Sequence, residues 1–352
     1  MAYTTIDDPT AHFQIELYTG NSGTNAISFS GNSDMKPDLV WNKRYDVGYN
    51  HVMWDSSRGV SKYVHSNNGN AEATFNYLTS FDTDGVTFGN ADQSVNVTGG
   101  SYILWNWRAN EGTTSSNTDG NSTTTVQANT TAGFSIVLGS FTGSTKTYGH
   151  GLGVAPDVVF WKNRSNTNSW LLFTTAVDGT HDYGIINQGN SFSATSYDVP
   201  TSTVFSGNDD ASTNFVAYCF AQKQGYSRFG SFVGRGNGDT STLSRGHFVY
   251  TGFSPALVMI KSSSTTANWQ VYSNKRPNYG NTVIKKLGWN RDTHENGSDL
   301  GTDTQNNIEM LSNGFRCTTG NTDTNSTGET YFYMAFADSP FVTSTGIPTT
   351  AR

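Results

Sequence analysis

The sequence predicts an all-β protein made of three tandem antiparallel β-sandwich modules, of jelly-roll or concanavalin-like type. Three observations lead there. The 352 residues are poor in charge, with 14% Asp, Glu, Lys and Arg, and the strong helix formers are scarce. Aromatics nonetheless reach 13%, which separates the chain from disordered sequences of similar polarity. Those aromatics recur in three matched blocks, the mark of an internal repeat.

The blocks align without gaps. Pro37-Asp38-Leu39-Val40-Trp41-Asn42-Lys43, Pro156-Asp157-Val158-Val159-Phe160-Trp161-Lys162 and Pro255-Ala256-Leu257-Val258-Met259-Ile260-Lys261 each place a Lys six positions after a Pro. Eight positions beyond each Lys begins a second strand, led by His51, Trp170 or Trp269. A closing strand follows in each unit: Tyr102 to Trp107, Phe215 to Phe220 and Tyr331 to Phe336. Its alternate positions, Ile103/Trp105/Trp107, Val216/Tyr218/Phe220 and Phe332/Met334/Phe336, share one sheet face by the period of two. That face is bulky in all three units and is expected to be the core face. The opposite face and the loops are then free to be Ser, Thr and Asn.

Each unit opens alike, at Phe13, Phe134 and Phe229. Gly85 and Gly314, each seventeen positions before a closing-strand Tyr, complete the hairpin dipeptides Asp84-Gly85 and Asn313-Gly314. The middle unit lacks this turn. The expected organisation is an N-terminal arm over 1–11, module one over 12–108, a Ser/Thr/Asn/Gly-rich linker over 109–132, module two over 133–222, module three over 227–338 and a C-terminal tail over 339–352. The short join between modules two and three predicts a fixed pair, with module one offset or its linker laid along a neighbouring surface.

Composition excludes several classes. The net charge of −7 lacks the basic footprint of a nucleic-acid binder. No run approaches a membrane span, and no basic-then-apolar leader opens the chain, so no secretory signal is expected. Two cysteines, Cys219 and Cys317, are too few for a disulfide framework and read as buried thiols.

Catalytic chemistry needs converging acid, base or nucleophile groups, and the sequence offers none. The seven His residues occupy unrelated repeat positions, with His51 where the other units carry Trp. No zinc spacing, nucleophile elbow or phosphate loop is present. Asp82-Thr83-Asp84-Gly85 lacks the later ligands of a calcium loop and reads as a turn. Asp38 and Asp157 sit at equal repeat positions in separate units, too far apart for a glycosidase pair, and read as strand-edge residues. No enzyme activity, cofactor or metal is expected. Sugar binding needs exposed aromatic faces beside amides and carboxylates. Trp289 has no aromatic counterpart in the other units, and Tyr279 lies in a longer loop. The loop 277–300, with Trp289, Tyr279, Asn290 and Arg291, is therefore the expected ligand-binding segment, with packing of Trp289 against a neighbouring unit or subunit as the alternative.

The repeated blocks, together with Thr131 to Val137, Gly149 to Pro156, Tyr333 to Ala337, the opening Tyr3 to Pro9 and the ending Pro340 to Arg352, carry a resemblance over nearly the whole chain. The chain resembles a family of repeat-containing virion or tail-fibre-like proteins of marine tailed phages, in which lectin-like sandwiches are suspected. The resemblance implies a phage structural protein and carries over no catalytic residue. The expected role is a tail fibre or receptor-binding appendage contacting host surface glycan. The alternatives are a capsid decoration or head-fibre protein and, third, a glycan depolymerase. The expected partners are other virion proteins, with the N-terminal arm as the attachment candidate, and a host glycan, without nucleic acid or membrane. A homo-oligomer, a trimer by analogy, assembled in the host cytoplasm into the virion completes the expectation.

Overall fold

A computed structural model describes residues 2–236, 246–276, 282–283, 285–295, 297, 300 and 306–349. Among these there is no α-helix, a single 3-10 turn spans Pro9–Ala11, and all strand pairs are antiparallel. The all-β class follows from the sequence as expected.

Three sheets repeat one strand order: opening, closing, Pro strand, second strand. In unit one these are Phe13–Thr19, Ser101–Trp107, Leu39–Arg44 and Val52–Asp55. In unit two they are Phe134–Ser140, Asn214–Phe220, Val158–Asn163 and Leu171–Thr174. In unit three they are Ser227–Val233, Thr330–Pro340, Phe253–Ser262 and Gln270–Ser273. The repeat therefore recurs in register as well as in sequence. Trp107 pairs with Phe13 and Leu39, and its counterpart Phe220 pairs with Phe134 and Val158.

Each of these inner sheets has a smaller second sheet on its outward side. Unit one supplies Asn25–Ser28, Gly85–Phe88 and Leu78–Asp82; unit two supplies Lys146–Gly149 and Val204–Gly207. Unit three supplies Phe248–Tyr250, Gly314–Cys317, Ile308–Leu311 and Thr282–Val283. Both hairpin dipeptides make the turns expected of them, Asp82 pairing with Gly85 and Leu311 with Gly314. Three separate apolar clusters fill the space between inner and second sheets.

The expected one-sided burial does not hold for the inner sheets. Every residue of the Pro strands Leu39–Arg44 and Val158–Asn163 is buried. The bulky alternate positions face inward, into a fourth cluster shared by all three units. Trp107, Phe220 and Phe336 meet there as a closed triangle, with ring centroids 5.4–6.2 Å apart. Each inner sheet is thus enclosed by its own second sheet on one side and by the other two units on the other. Unit one is not offset: it forms a third of the common core.

Two rings of hydrogen bonds close this arrangement. His51 Nε2 lies 3.0 Å from the Gly288 carbonyl; Trp170 Nε1 donates to His65 O at 2.7 Å, and Trp269 Nε1 to Ile185 O at 3.1 Å. The three repeat-equivalent side chains therefore run from unit one to three, two to one and three to two. The second ring uses backbone alone. The carbonyl two residues after each repeat Lys accepts from the next unit: Arg164 O from Glu72 N, Ser263 O from Phe192 N and Tyr45 O from Glu295 N, at 2.8–2.9 Å.

Residues 109–132, expected as a linker, contribute two strands, Ser115–Asn117 and Thr124–Asn129, which extend the unit-two sheet beyond its opening strand. Its buried Gln127 is satisfied within the chain, taking the N–H groups of Asn110 and Gly112 on Oε1. The N-terminal arm is docked rather than extended. Ile6 enters the shared core, and Thr4 Oγ1 donates to Gln224 O at 2.7 Å. Asp7 accepts from the backbone N–H and hydroxyl of Ser344, joining the two chain ends.

Candidate functional site

The repeats act as internal controls. A polar group that recurs at one position in every unit is explained by the fold, and a departure that stays exposed is not.

The three repeat lysines belong to the first kind. Lys43, Lys162 and Lys261 are fully buried, and each ammonium donates to backbone carbonyls at the strand end or in the loops beyond it: Tyr49 O and Asp292 O, Asn163 O and Asn166 O, Ser262 O and Thr265 O. Burial lowers their pKa from 10.5 to about 7, about 8 and about 7 in turn. The repeat aspartates act at junctions. Buried Asp38 accepts from Ala109 N at 2.7 Å, Glu111 N at 2.9 Å and Ser56 Oγ at 2.5 Å. Asp157 accepts from Gln222 N at 2.7 Å and Gln222 Nε2 at 3.0 Å. Each holds the chain just after it leaves a closing strand for the next unit. Unit three has Ala256 at this position, and there the closing strand runs on, pairing Pro340 with Phe253. Burial raises the pKa of both aspartates.

The seams between units differ in chemistry. Arg58 binds Asp55 and Glu72, and Glu72 also holds Arg164 of unit two. Tyr218 of unit two donates to Asp55 at 2.7 Å. Arg276 and Glu295 repeat the Arg–Glu pair at the seam from unit three to unit one. At the seam from two to three these positions are Val177 and Phe192, which pack against the shared core, with Phe192 5.9 Å from Trp269.

The expected ligand-binding residues are distributed as follows. Trp289 is 2% exposed, with its ring 4.6 Å from Trp41, 5.1 Å from Phe160 and 5.6 Å from Trp269. It lies in the shared core, where neighbouring units meet. Asn290 is buried, and its Oδ1 accepts from Trp269 N at 3.0 Å. Asn67 and Asn187 accept from His51 N and Trp170 N in the same way. Asn290 is thus a repeat residue, and the counterparts of Trp289 are Ser66 and Ile186. Arg291 is exposed, and its Nε donates to Asn268 at 2.9 Å. Tyr279 lies outside the described residues. The described part of loop 277–300 therefore presents no exposed aromatic ring.

An exposed aromatic surface lies elsewhere, on the outer face of the second sheet of unit three. Phe248 and Tyr250 are 42% and 54% exposed, while Val249 between them is buried. Register extends this face across the sheet: Phe248 pairs with Arg316, Arg316 with Glu309 and Glu309 with Thr282. Directly paired residues project to the same side. Arg316 and Glu309 form an ion pair at 3.2 Å. Gly314 is required by the backbone, since a Cβ there would lie 2.0 Å from the Val249 carbonyl oxygen, as one on Gly85 would from that of Ile27. The Tyr250 hydroxyl is 3.3 Å from that of Tyr3. Superposing the hairpin glycines Gly85 and Gly314 matches Phe248 to Ala26, Tyr250 to Ser28, Arg316 to Thr87 and Glu309 to Ser80. The aromatic and ionic residues of this face are thus absent from unit one.

A family model described as Domain of unknown function (DUF7483) matches residues 8–340. The chain belongs to this family. The DUF7483 match takes in all three inner sheets, the second sheets, both repeat aspartates and the face carrying Phe248 and Tyr250. No curated protein matches the chain, and no solved structure does.

Two further features complete the DUF7483 surface and core. An open cleft of about 310 Å³ is lined by Thr123, Thr125, Ser140, Asn214 and Arg164; it offers hydroxyls and amides without an aromatic wall. A void of about 10 Å³ on the axis, between Trp41, Trp289, Phe220 and Phe336, has no more room than a single water molecule requires. Among the described residues no His, Cys, Asp and Glu side chains gather as a metal site.

Proposed function

We propose that this chain is a non-enzymatic phage virion protein, a tail fibre or other receptor-binding appendage that contacts host surface glycan. In this reading its three units are lectin-like sandwiches of the jelly-roll or concanavalin-like type. The observation that carries the reading is the outer face of unit three. The repeat-shared polar groups are engaged in loops, junctions and seams, whereas Phe248, Tyr250, Arg316 and Glu309 depart from unit one, the two aromatics exposed and the ion pair part-buried beside them. Exposed aromatics beside polar groups are the ordinary means of holding a sugar. The resemblance to virion and tail-fibre-like proteins supports the same role.

A capsid decoration or head-fibre role is the second reading, favoured by the closed ring, which arranges three units about one axis within a single chain. A homotrimer attached through the N-terminal arm, assembled in the host cytoplasm, remains part of the proposal. Immunogold labelling of virions separates the two readings: label at the tail tip supports the fibre, and label across the head overturns it. Purified chain added in excess is expected to block phage adsorption. Release of reducing sugar from host polysaccharide would overturn the non-enzymatic assignment.

A further inference from the structure

We infer that the outer face of the second sheet in unit three is a platform for neutral hexopyranose chains. This rests on the receptor-binding reading above and adds the site and the ligand class.

Folding does not require the residues of this face. Unit one forms the corresponding hairpin and edge strand with Ala26, Ser28, Thr87 and Ser80 in their places. Phe248 and Tyr250 leave two aromatic side chains 42% and 54% exposed on one face. As alternate residues of one extended strand, Phe248 and Tyr250 point the same way, with Cα atoms about 6.6 Å apart by strand geometry. Such a pair offers two faces for the C–H surface of consecutive sugar rings.

The polar groups choose the ligand class. Arg316 supplies N–H donors and Glu309 supplies carboxylate acceptors, side by side in the row that begins at Phe248. Adjacent donor and acceptor suit the vicinal hydroxyls of a sugar. Because the two charges already compensate each other, an anionic ligand must displace Glu309 from Arg316, and a cationic one must displace Arg316 from Glu309. A neutral chain meets neither cost. A protein strand adding to this edge is disfavoured by the fold itself. The edge strand has three residues, and beyond it the Gly252 carbonyl is taken by the Tyr3 hydroxyl at 2.7 Å and the Phe341 N–H at 3.3 Å. Tail residues covering an edge in this way block strand pairing.

The test is calorimetric titration of the full chain with hexasaccharides of glucose, mannose and galactose, with an alginate hexamer as the anionic probe. At least one neutral hexasaccharide is expected to bind. Phe248→Ala/Tyr250→Ala and, separately, Glu309→Ala/Arg316→Ala are each expected to weaken that binding at least tenfold. The thermal midpoints of both double variants report whether they fold, and binding is scored on the one that does. The proposal is overturned if no neutral hexasaccharide binds, if alginate binds more tightly than any of them, or if the folded variants bind unchanged. Adsorption assays separate this proposal from the reading beneath it. Double variants that block adsorption as well as the native chain overturn the platform and leave the receptor-binding reading standing. A native chain that binds hexasaccharide through this face but never blocks adsorption overturns the receptor-binding reading alone.

Discussion

The ring of Trp289 lies 4.6 Å from that of Trp41, so a residue of unit three is packed into unit one across the common axis. Its indole N–H has no hydrogen-bond partner among the described residues, and its contribution is therefore packing. Trp289→Ala removes a fully buried ring from three aromatic contacts and is expected to cost about 3–5 kcal/mol. Trp289→Phe keeps part of the packing and removes the unpaired donor, so its cost is expected to be about half as large. Urea denaturation followed by tryptophan fluorescence measures both. Equal stability of Trp289→Ala and the native chain would remove this ring from the core.

Asp38 holds the start of the segment that leads from unit one to unit two. Asp38→Ala leaves the N–H groups of Ala109 and Glu111 without their acceptor, and the Ser56 hydroxyl without its partner. Unpaired buried groups of this kind cost about 1–3 kcal/mol each, less whatever water recovers. The expected loss is about 2–4 kcal/mol, with faster amide hydrogen exchange confined to residues 109–112. Ala256→Asp, at the matching position in unit three, is expected to gain nothing, because the strand there is already paired. Exchange rates for 109–112 that do not move in Asp38→Ala would contradict the junction role.

Much of the fold was legible in the sequence because its repeat is local. The Pro-to-Lys block, the second strand and the closing strand lie within short runs, and the period of two assigns their faces. What those faces meet is a long-range matter. Nothing near His51 in sequence indicates that its ring reaches Gly288, 237 residues away. Trp289 has no aromatic counterpart, but that Asn290 beside it is a repeat residue is hidden in the sequence because the loops before the repeat Asn differ in length: Asn67, Asn187 and Asn290 follow the second-strand leaders by 16, 17 and 21 positions. The exposed pair Phe248 and Tyr250 was missed for a related reason. Their departure from Ala26 and Ser28 becomes visible only when the strands are paired through Gly314 and Gly85.

The seam from unit one to unit two depends on Glu72, which receives Arg164 at 2.7 and 2.9 Å and Arg58 at 3.1 Å. The Arg58 side chain is wholly buried, so losing one of its carboxylates leaves a charge that solvent cannot reach. Glu72→Ala is expected to destabilise by about 3 kcal/mol, as removal of one partner from a buried ion pair generally does. The Arg44–Asp46 pair is closer to solvent, and Asp46→Ala is expected to cost no more than about 1 kcal/mol. Chemical denaturation of both variants at low and high salt checks the contrast: the loss in Glu72→Ala should be nearly independent of salt. Equal losses in the two variants would show that the seam is not held by this network.

The three buried lysines predict how stability varies with pH. Their folded pKa values lie near 7, 8 and 7, below the ordinary 10.5 that the unfolded chain keeps. Below about pH 7 both states hold the protons, and the full penalty of burying charge weakens the fold. Between about pH 7 and 10 the folded chain releases protons that the unfolded chain retains, so stability rises with pH. Above about pH 10 the trend reverses, because Tyr18, Tyr218 and Tyr272 are held far above their ordinary pKa by burial and ionise only on unfolding. His51, held low by burial, acts in the same sense as the lysines but around its ordinary value of 6.5, below this window. The thermal midpoint is therefore expected to climb from pH 7.5 to 9.5, by the equivalent of up to about 1 kcal/mol per pH unit for each lysine. Calorimetry of single Lys→Met variants should each remove about a third of the lysine contribution to the slope, and the triple variant should show no rise, its midpoint falling above about pH 8.5 because burial holds the Cys219 and Cys317 thiols above their ordinary value of 9.0 and they ionise only on unfolding. A native chain whose midpoint falls between pH 7.5 and 9.5 would mean that these ammonium groups keep their protons inside the fold, held by the backbone carbonyls that receive them.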